Sequence, residues 1–162
     1  MQSVLFVCTG NLCRSPIAEQ LFKTMLLSSG SLAGWTVASA GTWTRDGLPV
    51  LPFSIKLAKQ FGIDLRSYRT KMVTSLPFRK YDVIIVMEKN HKEALIAEFP
   101  GMEDRIMLLT TLSGQIPYDI KDPILQDEIS AADIIQDMKE CLEQAFPAIV
   151  SMAQIKRPDE GD

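Results

Sequence analysis

Short, unbroken apolar runs alternate along this chain with segments of helical periodicity, and that alternation leaves few folds open. Residues 4–8 (VLFVC) and 81–87 (YDVIIVM) are too short for globular helices and too continuously apolar for a half-exposed sheet, and residues 35–40 (WTVASA) and 105–110 (RIMLLT), likewise short, are read with them. They read as strands buried on both faces. After the first run, Ser15 suits a helix cap and Pro16 a first helical turn. Ile17, Leu21, Phe22, Met25 and Leu26 then recur at helical spacing and give that helix a buried face. Further helices are predicted over 49–61, ended by Gly62; over 90–99, closed by Pro100-Gly101; and over 130–146, with Ile134, Met138, Cys141, Leu142 and Ala145 on one face. Residues 113–127 read as a polar loop. The prediction is an α/β, doubly wound fold: a four-stranded parallel sheet with helices on both faces. One domain is expected over residues 1–156, with a polar tail over 157–162. At 162 residues the chain is long enough for one core of this kind.

Composition narrows the chemistry. The net charge is −3, without the basic stripe of a nucleic-acid binder. No apolar run is long enough to span a membrane, and the start, MQSVLFVCTGN, lacks the basic segment of a signal peptide. Cys8, Cys13 and Cys141 are odd in number and unevenly spaced, which does not suit a secreted disulfide framework. A cytoplasmic protein with reduced thiols is expected. There is a single histidine, His91, and no CxxC pair, so a multi-histidine or paired-cysteine metal site has no ligands. No metal and no cofactor are expected. His91 lies in the polar run EKNHKEAL and reads as a residue on a solvated helix face.

In a parallel sheet, ligands bind beyond the carboxyl ends of the strands. The segment leaving the first strand is Cys8-Thr9-Gly10-Asn11-Leu12-Cys13-Arg14-Ser15-Pro16. Backbone N–H groups in a loop that opens a helix lack helical partners and can converge on an anion. Gly10 and Asn11 tolerate the left-handed backbone such a nest requires. Cys8 stands at the mouth, where N–H dipoles and the Arg14 charge favour the thiolate, the attacking species. Arg14 presents a fork that can clamp two phosphoryl oxygens. The Ser15 hydroxyl is placed to donate to the Cys8 sulfur and ease its departure. One loop thus supplies nucleophile, oxygen cradle (residues 9–14) and clamp, which is most of what phosphoryl transfer requires.

Attack on a phosphate ester also needs an acid for the leaving oxygen and a base for the water that follows. The segment YDIKDPILQDE offers Asp119, Asp122, Asp127 and Glu128. Asp122 stands out because Pro123 stiffens the chain beside it.

These residues carry a resemblance. VLFVCTGNLCRSPIAE, followed by SAGT (residues 39–42), FGIDL (61–65), YDVIIVM and the Asp122-Pro123 pair, resembles the low-molecular-weight protein tyrosine phosphatases over most of the chain. The resemblance implies a cysteinyl-phosphate on Cys8, phosphate held by Arg14, a loop supported by Asn11 and Ser15, and Asp122 as acid and then base. It implies a phosphorylated protein as partner, with no nucleic acid and no membrane, and a monomer or weak dimer. Two positions depart from the family. Ile124 stands where an aromatic residue usually follows Asp-Pro, and Tyr68 stands where a histidine often backs the loop; a phenol can still donate there. Leu12, which projects toward the leaving group, favours phosphotyrosine, since related bacterial protein-arginine phosphatases typically carry Thr. The stretch TTLSGQIPYDIKDPI resembles that arginine branch, so phosphoarginine stays open. Trp43 is either a groove wall or a core residue, and Cys13 either a redox partner of Cys8 or a small filler. Cys141 is expected in the core. Arsenate reduction would need two further cysteines that the middle of the chain lacks. A cysteine phosphoryl carrier should lack the hydrolytic acid, and a non-catalytic anion-binding module has no use for Cys8, Arg14 and Asp122 together.

Overall fold

A computed structural model describes residues 1–155; the expected tail over 157–162 and the domain end at 156 lie outside the described residues. Each of the four segments overlaps a strand: β1 (Gln2–Cys8), β2 (Trp35–Gly41), β3 (Val83–Val86) and β4 (Ile106–Leu108). They form one sheet in the order β2-β1-β3-β4, and every pairing is parallel. The helices are α1 (Arg14–Ser28), α2 (Pro52–Lys59), α3 (Lys89–Glu98), the single turn α4 (Leu109–Leu112) and α5 (Glu128–Ala153).

The period of two within the unbroken apolar runs builds two cores. Val4, Phe6 and Cys8 of β1, with Val83 and Ile85 of β3, join α1, α2 and α5 on one face. Leu5 and Val7, with Ile84 and Val86, join Leu95 of α3 on the other. That is the doubly wound arrangement the alternation predicts. Phe22 of α1 sits at a ring junction, with centroids 5.5 Å from Phe6, 5.5 Å from Trp35 and 5.3 Å from Phe146. It locks α1 between the sheet and α5. The chain leaves β1 for β2 on one side and continues to β3 on the other, so the order reverses at β1. Cys8 is the last residue of the strand at that switch point.

Several sequence expectations change. Ser15 is not a cap: α1 starts two residues earlier, at Arg14, Cys13 is the N-cap, and Ser15 turns inward. α2 starts at Pro52 rather than 49, because Pro49 is extended and bridged to Arg69. β4 is shorter than the RIMLLT run, since Leu109 already turns into α4. α5 runs through Pro147 to Ala153. Its buried face carries Ile135 at 0 % exposure, and Ile134 only packs partly against it. Cys141 is fully buried there, as expected. The loop before α5 contains one helical turn, Pro123–Leu125. No helix of the described residues is long and apolar enough to cross a membrane.

Candidate active site

A cavity of about 200 Å³ opens at the carboxyl end of β1, lined by Cys8, Thr9, Gly10, Leu12, Cys13, Arg14, Trp43, Asp122 and Ile124. Three stretches that are distant in sequence thus meet where the loop after the first strand begins. Larger hollows, of about 420 Å³ beside Ile63 and about 460 Å³ between Met25 and Phe146, contain no cysteine.

The loop is held from behind by one amide. Asn11 is fully buried and has φ 56°, in the left-handed region. Its Nδ2 donates to Ser15 Oγ at 2.9 Å and Ser39 Oγ at 3.1 Å. Its Oδ1 accepts from Tyr68 OH at 3.0 Å and from the Lys71 N–H at 2.9 Å. Two donors and two acceptors are all an amide has, so this side chain is fully used. Ser39 in turn donates to the buried Glu19 at 2.6 Å and makes a short contact with Tyr68 OH. Burial, and then the Glu19 charge, push the Tyr68 pKa well above that of a free phenol, so it remains a donor. The end of β2 clasps the loop from the side. The Thr42 N–H donates to the Cys8 carbonyl at 2.9 Å and the Trp43 N–H to the Thr9 carbonyl at 3.0 Å. Trp43, its backbone held there, lines the cavity and is 83 % exposed, so it is not a core residue.

Cys8 Sγ lies 2.9 Å from Ser15 Oγ. A thiolate only accepts, so with Cys8 ionised Ser15 is the donor. No backbone partner takes up the N–H groups of residues 9–14 among the described residues. Arg14 is buried, and its Nη1 donates to Glu88 Oε2 at 2.8 Å and to the Ile120 carbonyl at 2.6 Å. Burial alone would lower its pKa, but the Cys8 sulfur and the Glu88 carboxylate outweigh burial and raise it. Nε and Nη2 are left outside both bonds. Asp122 caps the turn that follows it, its Oδ1 accepting from the Ile124 N–H at 3.0 Å. Cys13 is a different thiol: burial above all, with Cys8 and Asp122 adding to it, pushes its pKa up to about 12. The buried Ser54 hydroxyl is its polar neighbour and has no hydrogen-bond partner of normal geometry among the described residues.

The expected loop, clamp and acid residues therefore gather at one place, with Ser15, Asn11 and Tyr68 behind them. Other parts are absent from the sequence reading. Glu88 follows the last buried residue of the β3 run, and a charge at a strand's carboxyl end was the available signal. Glu19 lies four residues after Ser15, on the same helix face. His91 corrects an expectation outright. It is 2 % exposed rather than on a solvated face, because its Nε2 lies 2.8 Å from Thr9 Oγ1 and its Nδ1 accepts from the Glu88 N–H at 3.1 Å.

Comparison with known proteins agrees with this geometry. Residues 3–158 match the family described as low molecular weight phosphotyrosine protein phosphatase. The low molecular weight protein-tyrosine-phosphatase Wzb of Salmonella typhi is 36% identical over 120 residues, 74% of this chain and 75% of that protein. Vibrio vulnificus Wzb, solved with benzylphosphonate, superposes with a TM-score of 0.74 at 30% identity, covering 93% of this chain and 98% of the other. The YwlE arginine phosphatase from Geobacillus stearothermophilus has a TM-score of 0.79, covering 97% of this chain and 99% of the other, but at 23% identity it shows the shared fold alone. A cavity built around a strand-end cysteine and the loop that follows it, in a chain matching that family almost from end to end, makes this protein a low molecular weight phosphotyrosine protein phosphatase by family and a cysteine-dependent phosphatase by activity.

Proposed function

We propose that the protein hydrolyses phosphotyrosine in protein substrates, with Cys8 as nucleophile, Arg14 as clamp and Asp122 as acid and then base. The observation that carries the reading is the single cavity shared by Cys8, Arg14 and Asp122, walled by Leu12, Trp43 and Ile124. In the first step the Cys8 thiolate attacks phosphorus, the P–O bond to tyrosine breaks, and Asp122 gives its proton to the departing phenolate. In the second, water attacks the thiophosphate, Asp122 takes a proton from it, and the sulfur leaves as thiolate, stabilised by the Ser15 hydroxyl. The N–H groups of residues 9–14 and the free edge of Arg14 stabilise the equatorial oxygens in both steps. Ser15, Asn11 and Tyr68 hold the loop in shape. The chemistry needs Cys8 reduced, which suits a cytoplasmic setting.

The walls favour an aromatic leaving group. Leu12 and Ile124 are apolar and Trp43 offers an open ring face, so a phenyl ring gains contact on three sides. A guanidinium finds no acceptor on those three side chains, which leaves Asp122 as the one side-chain carboxyl in the cavity, and each further donor left unpaired costs about 1 to 3 kcal/mol. Wzb of Vibrio vulnificus, at 30% identity, holds a benzyl group on its phosphonate, which supports the same choice. Parallel assays on phosphotyrosine and phosphoarginine peptides test the reading. Faster turnover of phosphotyrosine is expected, with Leu12→Thr shifting the ratio toward phosphoarginine by about tenfold. A wild type that prefers phosphoarginine overturns the specificity. Substantial turnover by Cys8→Ser overturns the mechanism.

A further inference from the structure

The chain's one histidine has no part in the chemistry just described, yet it is buried against the loop that performs it. His91 is the third residue of α3 and completes a reciprocal cap with Glu88, in which each side chain accepts from the other's backbone N–H. The cap fixes the ring's tautomer. The Glu88 N–H donates to Nδ1 at 3.1 Å, so Nδ1 carries no proton and a neutral ring is protonated on Nε2. That Nε2 lies 2.8 Å from Thr9 Oγ1 and 3.3 Å from Glu88 Oε2. Glu88 Oε2 is the same oxygen that accepts from Arg14 Nη1 at 2.8 Å.

One ring therefore joins two parts of the active site: Nε2 bonds the residue after the cysteine, and Nδ1 caps the residue whose carboxylate holds the arginine. Burial, and then the Arg14 charge, push the ring's pKa down to about 4, against the opposing pull of Glu88, Asp119 and Asp122. The ring is neutral at ordinary pH, and its only N–H is the one aimed at Thr9.

We propose that His91 is a positioning residue for phosphoryl transfer, which ties the Thr9 end of the phosphate loop to the Glu88–Arg14 pair so that cradle and clamp meet the phosphoryl group in one fixed arrangement. The proposal rests on the roles given above to the phosphate loop and to Arg14. Those roles are tested separately by the loss of p-nitrophenyl phosphate turnover in Cys8→Ser; residual turnover there sinks the site assignment whatever His91 does.

Two substitutions separate the bond to Thr9 from the cap. In His91→Asn the side chain reaches only the Nδ1 position, so the cap on Glu88 survives and the bond to Thr9 is lost. In His91→Gln the amide nitrogen reaches the Nε2 position and can donate to Thr9, and its oxygen can still accept from the Glu88 N–H, as a glutamine at this helix position commonly does. The expected result is a fall in kcat of about tenfold or more for His91→Asn with KM within about threefold, since an oriented hydrogen bond acts mainly in the transition state. His91→Gln should keep kcat within about threefold of wild type. Equal losses in the two variants, or losses that follow the thermal stability of each, reduce His91 to a packing residue and overturn the proposal. The ring nitrogens of the wild type provide an independent measurement, because a single histidine makes their ¹⁵N resonances unambiguous. An Nε2–H tautomer that does not titrate between about pH 5.5 and 8, and an Nε2 resonance that moves when inorganic phosphate is added, are expected. An Nδ1–H tautomer, titration near the ordinary value of 6.5, or no response to phosphate also overturns it.

Discussion

At the scale of single residues, the loop's shape rests on Asn11. A left-handed backbone at a non-glycine residue costs about 1 kcal/mol or more, and four side-chain hydrogen bonds at Asn11 offset that cost. Tyr68→Phe removes one of the four and leaves the Lys71 N–H as the remaining donor to Oδ1. The expected result is a stability loss of about 1 kcal/mol by urea unfolding, with a larger proportional fall in kcat than in 1/KM. Unchanged kinetics would remove Tyr68 from the loop's support. The tolerance of Asn11 for this backbone was legible in its residue type, and Tyr68 was legible through its place after the FGIDL segment. His91 was misread for a physical reason. In a ten-residue helix of low polarity contrast, the run EKNHKEAL does not tell which turn meets a loop eighty positions away. Glu88 was hidden in the same way, since its partner Arg14 is 74 residues distant.

At the scale of elements, the end of β2 sets how closely the loop can pack. A Cβ at Gly41 would lie 2.5 Å from the Thr9 carbonyl oxygen and 3.1 Å from the Asn11 nitrogen. Both are backbone atoms of the loop after β1 and cannot swing aside. Gly41→Ala should therefore lower turnover of p-nitrophenyl phosphate by more than about tenfold, a barrier increase of roughly 1.4 kcal/mol, while far-ultraviolet circular dichroism stays native. Wild-type kinetics in that variant would show that the loop has slack. On the other side of the cavity, Asp127 caps α5 through the Ser130 N–H at 2.9 Å. Asp127→Ala should cost about 1 kcal/mol of stability, read as a lower Tm with specificity unchanged. Strands were the most legible elements, because an unbroken run of Val and Ile has little alternative to a buried sheet. Helix ends were the least. α5 passes through Pro147 because Phe146 and Ile149 pack into the core and outweigh one missing backbone hydrogen bond.

At the scale of the whole molecule, the buried ring of His91 makes stability depend on acidity. Its pKa is about 4 in the fold against an ordinary 6.5, so the unfolded chain takes up a proton first as pH falls. The effect is absent above about pH 6.5, grows as pH drops toward about 4 and is constant below. Between about pH 7 and pH 5 it should remove roughly 2 kcal/mol of stability in urea unfolding. His91→Gln should lose less over the same interval, and an equal loss would place the acid sensitivity elsewhere. The lowered carboxyl groups, Asp46, Asp64, Glu103 and Asp127, titrate below the interval from pH 7 to pH 5 and do not confuse it. The overall architecture was legible because β-α alternation has few compact solutions. The order of strands was not, since it depends on which edge each crossover takes. That order has a consequence for how the enzyme comes into being. β1 is the second strand in space but the first to be made, and Val4 pairs with Val37 on one side and Val83 on the other. Arg14 waits longer still, for a carbonyl 106 residues downstream at Ile120. A ribosome therefore spells out the proposed nucleophile and clamp before it makes β2, β3 or β4, long before either has its neighbours. A chain halted short of Ile120 carries the whole loop sequence and lacks the carbonyl that anchors the Arg14 guanidinium, so activity reports synthesis past Ile120 and folding together.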